Sequence, residues 1–166
     1  PADLKKMKIR VIKSPMAIEL IKTLGASPTP ISWGELYTSL QQGLVDGAEN
    51  NPPSFVSARH YEVCKHFTLD QHTSPMDVVV ASKAAWAKFS PEQQKMILDT
   101  FRESVAYQRE LWAAEVAENF KTLEEAGVEI IEPDKAKFRQ AVQPMYEKYT
   151  KDEDIGDLIE KVQAVQ

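Results

Sequence analysis

Three side chains that can bind metal lie close together in the middle of the chain, namely His60, Cys64 and His66. Residues four positions apart share one face of a helix, so His60 and Cys64 have a spacing that suits metal ligands. A closed metal site usually has four ligands, and smaller groups of such residues more often pack in the core or lie at the surface. We therefore predict no metal at these positions, and no cofactor.

A second set of residues, Glu49, His72 and Asp77, contains the side chains of an acid/base site. Pockets that hold paired acids can shift pKa values into the range in which enzymes use them. The sequence contains none of the common catalytic motifs, such as G-x-G-x-x-G, H-E-x-x-H, G-x-S-x-G or a Walker loop. We predict that the protein is not an enzyme, and an enzyme that uses these three residues is the alternative.

Length and composition indicate a folded globular domain and argue against several classes of protein. The chain has 166 residues, 43% of them hydrophobic and 27% charged, as is usual for folded domains. A net charge of −5 argues against nucleic-acid binding, which needs a basic surface. The first residues, PADLKKMKIRV, lack the apolar region of a secretory signal, although a signal can precede them.

Strands and helices are predicted to alternate along the first half. Lys8 to Ile12 has the pattern of a strand, and Ser14-Pro15 has the pattern of a helix start, with Gly25 as its stop. Pro28 to Ile31 and the S-x-x-E capping box that begins at Ser32 repeat the pair. The apolar run Met76 to Ala81 is typical of a buried strand. This alternation predicts a mostly parallel sheet.

The second half is dominated by one very long predicted helix. Ser90-Pro91 starts it, and no residue breaks it before Gly127. Roughly 36 residues would span about 54 Å, whereas a compact domain of this size is about 40 Å across. The helix therefore bridges two lobes or contacts a partner, such as a second copy of the chain. A strand over 128–131 follows, then a helix that Pro144 breaks or kinks, and a final helix near 152–165.

Several segments in fixed order resemble one known family. They are KIRV at Lys8 to Val11, the WGELYTSLQQG helix, VDGAENNPPSF at Val45 to Phe55, HYEVCKHFTLDQHTSP, DVVVASKAAW, SPEQQK and EEAGVEIIEP. Together they look like the solute-binding proteins of tripartite ATP-independent periplasmic (TRAP) transporters, over essentially the whole chain. The resemblance implies that the protein binds a small carboxylate in the periplasm and delivers it to a membrane permease.

The same resemblance implies a fold. In that family two α/β lobes close on the ligand by a hinge, and one very long helix runs along both lobes. We expect residues 1–75 to form the ligand-binding lobe, 76–127 a strand and the lobe-bridging helix, and 128–166 a C-terminal strand and helices. The family's N-terminal half would precede Pro1, so the chain resembles a C-terminal portion.

The resemblance also implies a set of ligand-binding residues. Arg10 matches an arginine that pairs with the ligand carboxylate, for which a planar guanidinium is well suited. Asn50, in a turn at a strand end, matches an amide that donates to the same carboxylate, and Trp33 an aromatic against the ligand body. Glu49, His72 and Asp77 match a polar cluster behind the ligand.

The ligand itself is less sharply indicated. The AENNPPSF segment looks closest to family members that bind sugar acids such as uronates or aldonates, with C4-dicarboxylates and other organic acids as alternatives. A further alternative is a truncated module that forms homo-oligomers through its long helix and binds no ligand.

Overall fold

The computed structural model describes residues 2–165, apart from the side chain of Glu153. The strands are Lys8–Val11 (β1), Ser27–Pro30 (β2), Gly47–Ala48 (β3), His66–Thr68 (β4) and Glu129–Ile131 (β5). The helices are Pro15–Thr23 (α1), Trp33–Gln41 (α2), Pro52–Ser57 (α3), Lys83–Trp86 (α4), Pro91–Glu125 (α5), Lys135–Tyr149 (α6) and Glu153–Gln163 (α7). Two short 3-10 helices, Ala2–Leu4 and His60–Glu62, complete the described elements.

The strands form two small parallel sheets, as the alternation of strands and helices predicts. One sheet has the order β2-β1-β3, and the other pairs β4 with β5. Every described pair is parallel. Within the first sheet Arg10 lies in the central strand, opposite Thr29 on one side and Ala48 on the other. The α/β prediction is confirmed, and the central strand contains Arg10, the residue that is expected to pair with the ligand carboxylate.

Helix α1 begins and ends where the sequence indicates. The Ser14 side chain accepts a hydrogen bond from the backbone N–H of Ala17 at 3.5 Å, and Pro15 occupies the first turn. Gly25 follows the helix with a φ of +94°, a conformation that other residues rarely adopt. The helix then covers the sheet, and the first core consists of Ile9, Val11, Ile21, Leu24 and Ala26.

Helix α6 packs against α1 and is not broken at Pro144, where the sequence predicts a break or a kink. The helix continues through Pro144 to Tyr149, although an internal proline removes a hydrogen bond and costs about 3 kcal/mol. Two contacts hold the following turns in place: Lys148 Nζ lies 2.7 Å from Glu19 Oε1, and the Tyr149 hydroxyl donates to Glu19 Oε2 at 2.7 Å. Burial of Met145 adds to them, so tertiary packing offsets the local cost.

Helix α5 confirms the prediction of an unbroken long helix. Its N-terminus has the full capping box, in which Ser90 and Gln93 bond each other's backbone N–H groups. Leu123, near the other end, is fully buried against Phe55 and Val128. Several apolar residues earlier in the helix, such as Phe101, are exposed. Over residues 2–165, none of the helices combines the length and hydropathy needed to cross a membrane.

The prediction of a buried strand over Met76–Ala81 is wrong for this chain. The segment has no strand partner among residues 2–165, and Val78 and Val80 are 80% and 84% exposed. A strand forms only when a neighbouring strand accepts and donates its backbone hydrogen bonds. An apolar run indicates that a segment can be a buried strand, but it does not show that such a neighbour is present. The division of the chain into three regions, 1–75, 76–127 and 128–166, stays a prediction.

Gly156 gives a test of how α7 is attached. A Cβ at this position would lie 2.6 Å from the carbonyl oxygen of Thr150, closer than real contacts allow. We expect Gly156→Ala to lower the free energy of unfolding by about 1–3 kcal/mol, because backbone must move to relieve the overlap. Urea denaturation followed by circular dichroism measures the change.

Gly34 is the matched control for this prediction. It lies in the first turn of α2, and a Cβ there would meet no atom within 4 Å. Because alanine is the better helix former, Gly34→Ala should leave stability unchanged or raise it by up to about 1 kcal/mol. Equal effects of the two substitutions would contradict the close contact at Thr150.

Candidate functional site

A cavity of about 440 Å³ opens beside the carboxyl ends of β1 and β3. This volume lies within the range of about 300–1,000 Å³ that is typical of small-molecule sites. Its lining includes Arg10, Trp33, Glu49, Asn50, Ser54, His72, Thr73 and Pro75. A second hollow of about 370 Å³ lies along α5 and is lined by Met96, Ile97, Thr100, Phe101 and Ser104, without a charged side chain. The first cavity therefore holds the candidate site.

Arg10 is buried in β1 with a defined orientation. The residue is only 3% exposed. Its Nε donates a hydrogen bond to the carbonyl oxygen of Ile31 at 2.9 Å. Among residues 2–165 the two terminal nitrogens have no hydrogen-bond acceptor, and the residue lines the cavity. A guanidinium held in this way presents two parallel N–H donors, the geometry that suits a carboxylate.

Trp33 is the first residue of α2 and lies close to Arg10. The Arg10 Cζ is 5.7 Å from the centre of the Trp33 ring, within the range of a cation–π interaction. The predicted capping box at Ser32 is absent, because the Ser32 hydroxyl bonds the Glu35 side chain and caps no backbone N–H. Trp33 remains 46% exposed, and it lines the cavity with an apolar ring.

Asn50 follows β3 and has its carbonyl oxygen engaged locally. Its Oδ1 accepts a hydrogen bond from the backbone N–H of Asn51 at 2.9 Å, and Asn51 in turn caps α3 through Ser54. The local bond to Oδ1 leaves the amide NH2 group of Asn50, a double donor, at the cavity wall. The turn at the carboxyl end of a short strand has formed as predicted.

Glu49, His72 and Asp70 form an acidic and imidazole cluster at the same wall. His72 Nδ1 lies 2.7 Å from Asp70 Oδ1, and His72 Nε2 lies 4.0 Å from Glu49 Oε2. The Nε2 atom is buried without a hydrogen-bond partner. A separation of 4.0 Å is too long for a direct hydrogen bond. The cluster therefore has one unsatisfied ring nitrogen inside the cavity.

Burial and charge alter the pKa values of these groups in ways that depend on one another. Burial lowers the pKa of Arg10, and the nearby Glu49 charge offsets part of that effect. Burial raises the pKa of Glu49, although His72 and Arg10 oppose the rise. The hydrogen bond to Asp70 raises the pKa of His72. This rise in pKa shifts His72 toward its protonated form, in which Nε2 carries a proton that it can donate.

The structure brings together five of the six predicted site residues, and Asp77 is the exception. Asp77 is exposed in the segment after Pro75 and does not line the cavity. Asp70 takes its place as the partner of His72, a role that sequence reasoning missed. The turn between Asp70 and His72 depends on Gln71, which has a φ of +53°. A glutamine in the sequence does not predict this left-handed conformation. Lys135 Nζ donates to the Gln71 side chain at 2.9 Å and holds this turn.

The three residues considered as metal ligands lie in different surroundings. His60 is buried among aromatic rings. Cys64 packs against the core around Phe55 and Leu123, and His66 is exposed on β4 beside Glu129. Each side chain therefore has a structural environment of its own.

A parallel α/β unit with an open cavity at the carboxyl ends of its strands has the arrangement in which α/β proteins bind small molecules. The sequence model for bacterial extracellular solute-binding protein family 7, DctP, matches residues 1–152. The chain belongs to this family, whose members are solute-binding proteins of transporters. The resemblance to TRAP solute-binding proteins is thereby confirmed.

Individual relatives share both sequence and fold with the chain. The 2,3-diketo-L-gulonate-binding periplasmic protein YiaO of Escherichia coli is 36% identical over 169 residues, which cover 100% of this chain and 52% of that protein. A TRAP periplasmic solute-binding protein from Xanthobacter autotrophicus, solved with bound β-D-galacturonate, has a TM-score of 0.92 and 41% identity, over 99% of this chain and 55% of its own.

A third relative extends the comparison. A TRAP solute-binding protein from Pseudomonas putida, solved with bound D-glucuronate, has a TM-score of 0.88 and 36% identity, over 99% of this chain and 53% of its own. The chain therefore spans about half the length of the relatives that it matches.

Proposed function

We propose that this chain supplies the carboxylate-binding lobe of a periplasmic receptor that binds a hexuronate and delivers it to a TRAP membrane permease. D-galacturonate and D-glucuronate are the favoured ligands. The observation that carries the proposal is Arg10, a buried guanidinium fixed through Nε to Ile31, whose terminal nitrogens meet no protein acceptor among the described residues. These two donors face the open cavity, and an anion with two oxygens is the partner that matches both of them.

Asn50 and Trp33 supply the other two contacts in this proposal. The Asn50 amide donates to a carboxylate oxygen beside Arg10, because its own oxygen is already bonded to the Asn51 backbone. The exposed face of Trp33 packs against the C–H face of a pyranose ring. A sugar acid satisfies both contacts, since it combines a carboxylate with a broad ring.

The acidic cluster supports a monocarboxylate over a C4-dicarboxylate. Glu49 and Asp70 lie beside His72 at the cavity wall and bring negative charge close to Arg10. A second ligand carboxylate near these acids is disfavoured by like-charge repulsion. Hydroxyl groups suit the same wall, because they can accept a hydrogen bond from His72 Nε2 and donate one to Glu49.

Calorimetric titration of the protein at its full natural length tests this proposal. We expect D-galacturonate or D-glucuronate to bind at least about tenfold more tightly than succinate. Repulsion between the second carboxylate of succinate and one acidic side chain near the site costs on the order of 1.4 kcal/mol. Nuclear magnetic resonance of the recovered ligand should show no chemical conversion. Tighter binding of succinate, or conversion of the sugar acid, would contradict the proposed function.

The same cluster makes ligand binding depend on pH. The pKa values of Glu49 and His72 are already raised in the free protein, and an entering carboxylate raises them further because a negative charge favours the protonated forms. Binding therefore takes up protons. Affinity for D-galacturonate should rise as pH falls from 8 to 6, by less than about tenfold for a one-unit shift.

Two measurements check this dependence. Titrations in buffers with different ionisation enthalpies report the number of protons taken up, and Glu49→Gln with His72→Asn should reduce that number. The exposed histidine His66, paired with Glu129 on the other sheet, gives the matched control in His66→Asn. An affinity that falls as the solution becomes more acid would exclude this cluster as the source of proton uptake.

A further inference from the structure

We propose that His60 is a positioning residue, which holds the Trp33 indole against Arg10 and so sets the preference for ligands with a ring. His60 is 3% exposed and lies against Trp33, with ring centres 5.1 Å apart and planes inclined by 66°. Tyr37 and Phe55 contact the same imidazole, each with a centre-to-centre distance of 6.4 Å. This inference rests on the proposed sugar-acid function.

The 3-10 helix that carries His60 is fixed to α2 by a chain of polar contacts. Arg59, just before it, has a φ of +57° and donates through Nε to Glu62 Oε1 at 2.7 Å. Glu62 Oε2 accepts a hydrogen bond from the Tyr37 hydroxyl at 2.9 Å. Tyr37 lies on α2, one helical turn after Trp33. These contacts hold the backbone on both sides of the His60–Trp33 pair.

Trp33 depends on this support because its own surroundings hold it weakly. It is 46% exposed, and Ser32 gives no side-chain cap to the start of α2. The contact with His60 lies on one side, and the guanidinium of Arg10 lies 5.7 Å from the ring centre. An aromatic side chain binds a ligand ring well only if its own orientation is fixed beforehand. The imidazole supplies that orientation.

The neutral imidazole suits this buried position. Burial lowers the pKa of His60, and the positive charge of Arg10 lowers it further. His60 is therefore uncharged near neutral pH and packs as an aromatic ring. We expect His60 to affect the contact between Trp33 and the ligand ring, and not the capture of the carboxylate by Arg10.

Binding of D-galacturonate to matched variants of the full-length protein tests this role. His60→Ala should weaken binding about three- to tenfold, the range expected from the loss of one aromatic pair, and His60→Phe should restore it to within about twofold. Trp33→Ala should weaken it too, and the double variant should bind no more weakly than Trp33→Ala alone. His66→Ala, at an exposed histidine, should leave affinity unchanged. Unchanged binding by His60→Ala, or additive losses in the double variant, would overturn the proposal.

A second readout needs no ligand and separates the two proposals. In the nuclear magnetic resonance spectrum of the free protein, His60→Ala should shift the indole N–H signal of Trp33 and leave those of Trp86 and Trp112 in place. An unmoved Trp33 signal overturns the positioning role, whereas failure of every sugar acid to bind the parent protein overturns the proposed function. If His60→Ala does not fold, His60→Leu replaces it with the same expected results, because leucine fills the space without a planar ring.

Discussion

Arg10→Lys should weaken the binding of D-galacturonate by about ten- to a hundredfold, since a hydrogen bond to a charged group contributes about 1.5–3 kcal/mol. Lysine keeps the positive charge but loses the planar fork. The substitution also removes the hydrogen bond that Arg10 Nε donates to the carbonyl oxygen of Ile31. Calorimetric titration of both proteins measures the change.

Arg102→Lys is the control for this substitution. Arg102 lies on the exposed face of α5 and pairs with Asp99 at 3.0 Å, with 77% of its side chain exposed. The change should leave both binding and stability unaffected, because exposed ion pairs contribute little. If Arg10→Lys binds the sugar acid as tightly as this control does, the guanidinium is not the carboxylate-binding group.

Leu123→Ala should lower the free energy of unfolding by about 2–5 kcal/mol, because it leaves a cavity in a fully packed position. Leu123 is 0% exposed and belongs to the core that joins α5 to Phe55 and Val128. This core supports α3, whose first turn follows Asn50. The loss should therefore weaken ligand binding only indirectly, through the population of folded protein. Urea denaturation measures it.

Glu124→Ala is the neighbouring control on the same helix turn. Glu124 is exposed, and substitutions at such positions usually change stability by less than about 0.5 kcal/mol. Similar losses for Leu123→Ala and Glu124→Ala would show that the end of α5 does not pack as described.

Local signals predicted most of the helices and strands. Ser14 with Pro15, and Ser90 with Pro91, mark helix starts through groups within a few residues, so the sequence contains the whole interaction. Gly25 likewise marks a helix end through its own backbone. Predictions of this kind need no knowledge of distant contacts.

The sequence is least informative where distant contacts decide the result. Pro144 stays within α6 because Lys148 and Tyr149 hold the next turn against Glu19 on α1. The apolar run Met76–Ala81 has the composition of a strand, but no described residue pairs with it. Neither result follows from the local pattern, because each depends on which element lies opposite.

The sequence predicted five residues that line one cavity in the structure, and their role in ligand binding stays a prediction. Arg10, Trp33, Glu49, Asn50 and His72 line one cavity. The link from His72 to Asp70 was missed because it requires Gln71 in a left-handed conformation that only the folded chain reveals. The role inferred for His60 was likewise hidden, since its spacing from Cys64 and His66 suggested metal chemistry instead.

A crystal structure of the full-length protein with D-galacturonate would show directly whether Arg10 binds the ligand carboxylate. We expect the ligand carboxylate to form two parallel hydrogen bonds with the terminal nitrogens of Arg10, at about 2.7–2.9 Å, with the Asn50 amide donating to one of the same oxygens. A carboxylate bound elsewhere, with Arg10 paired to a protein acid, would contradict it.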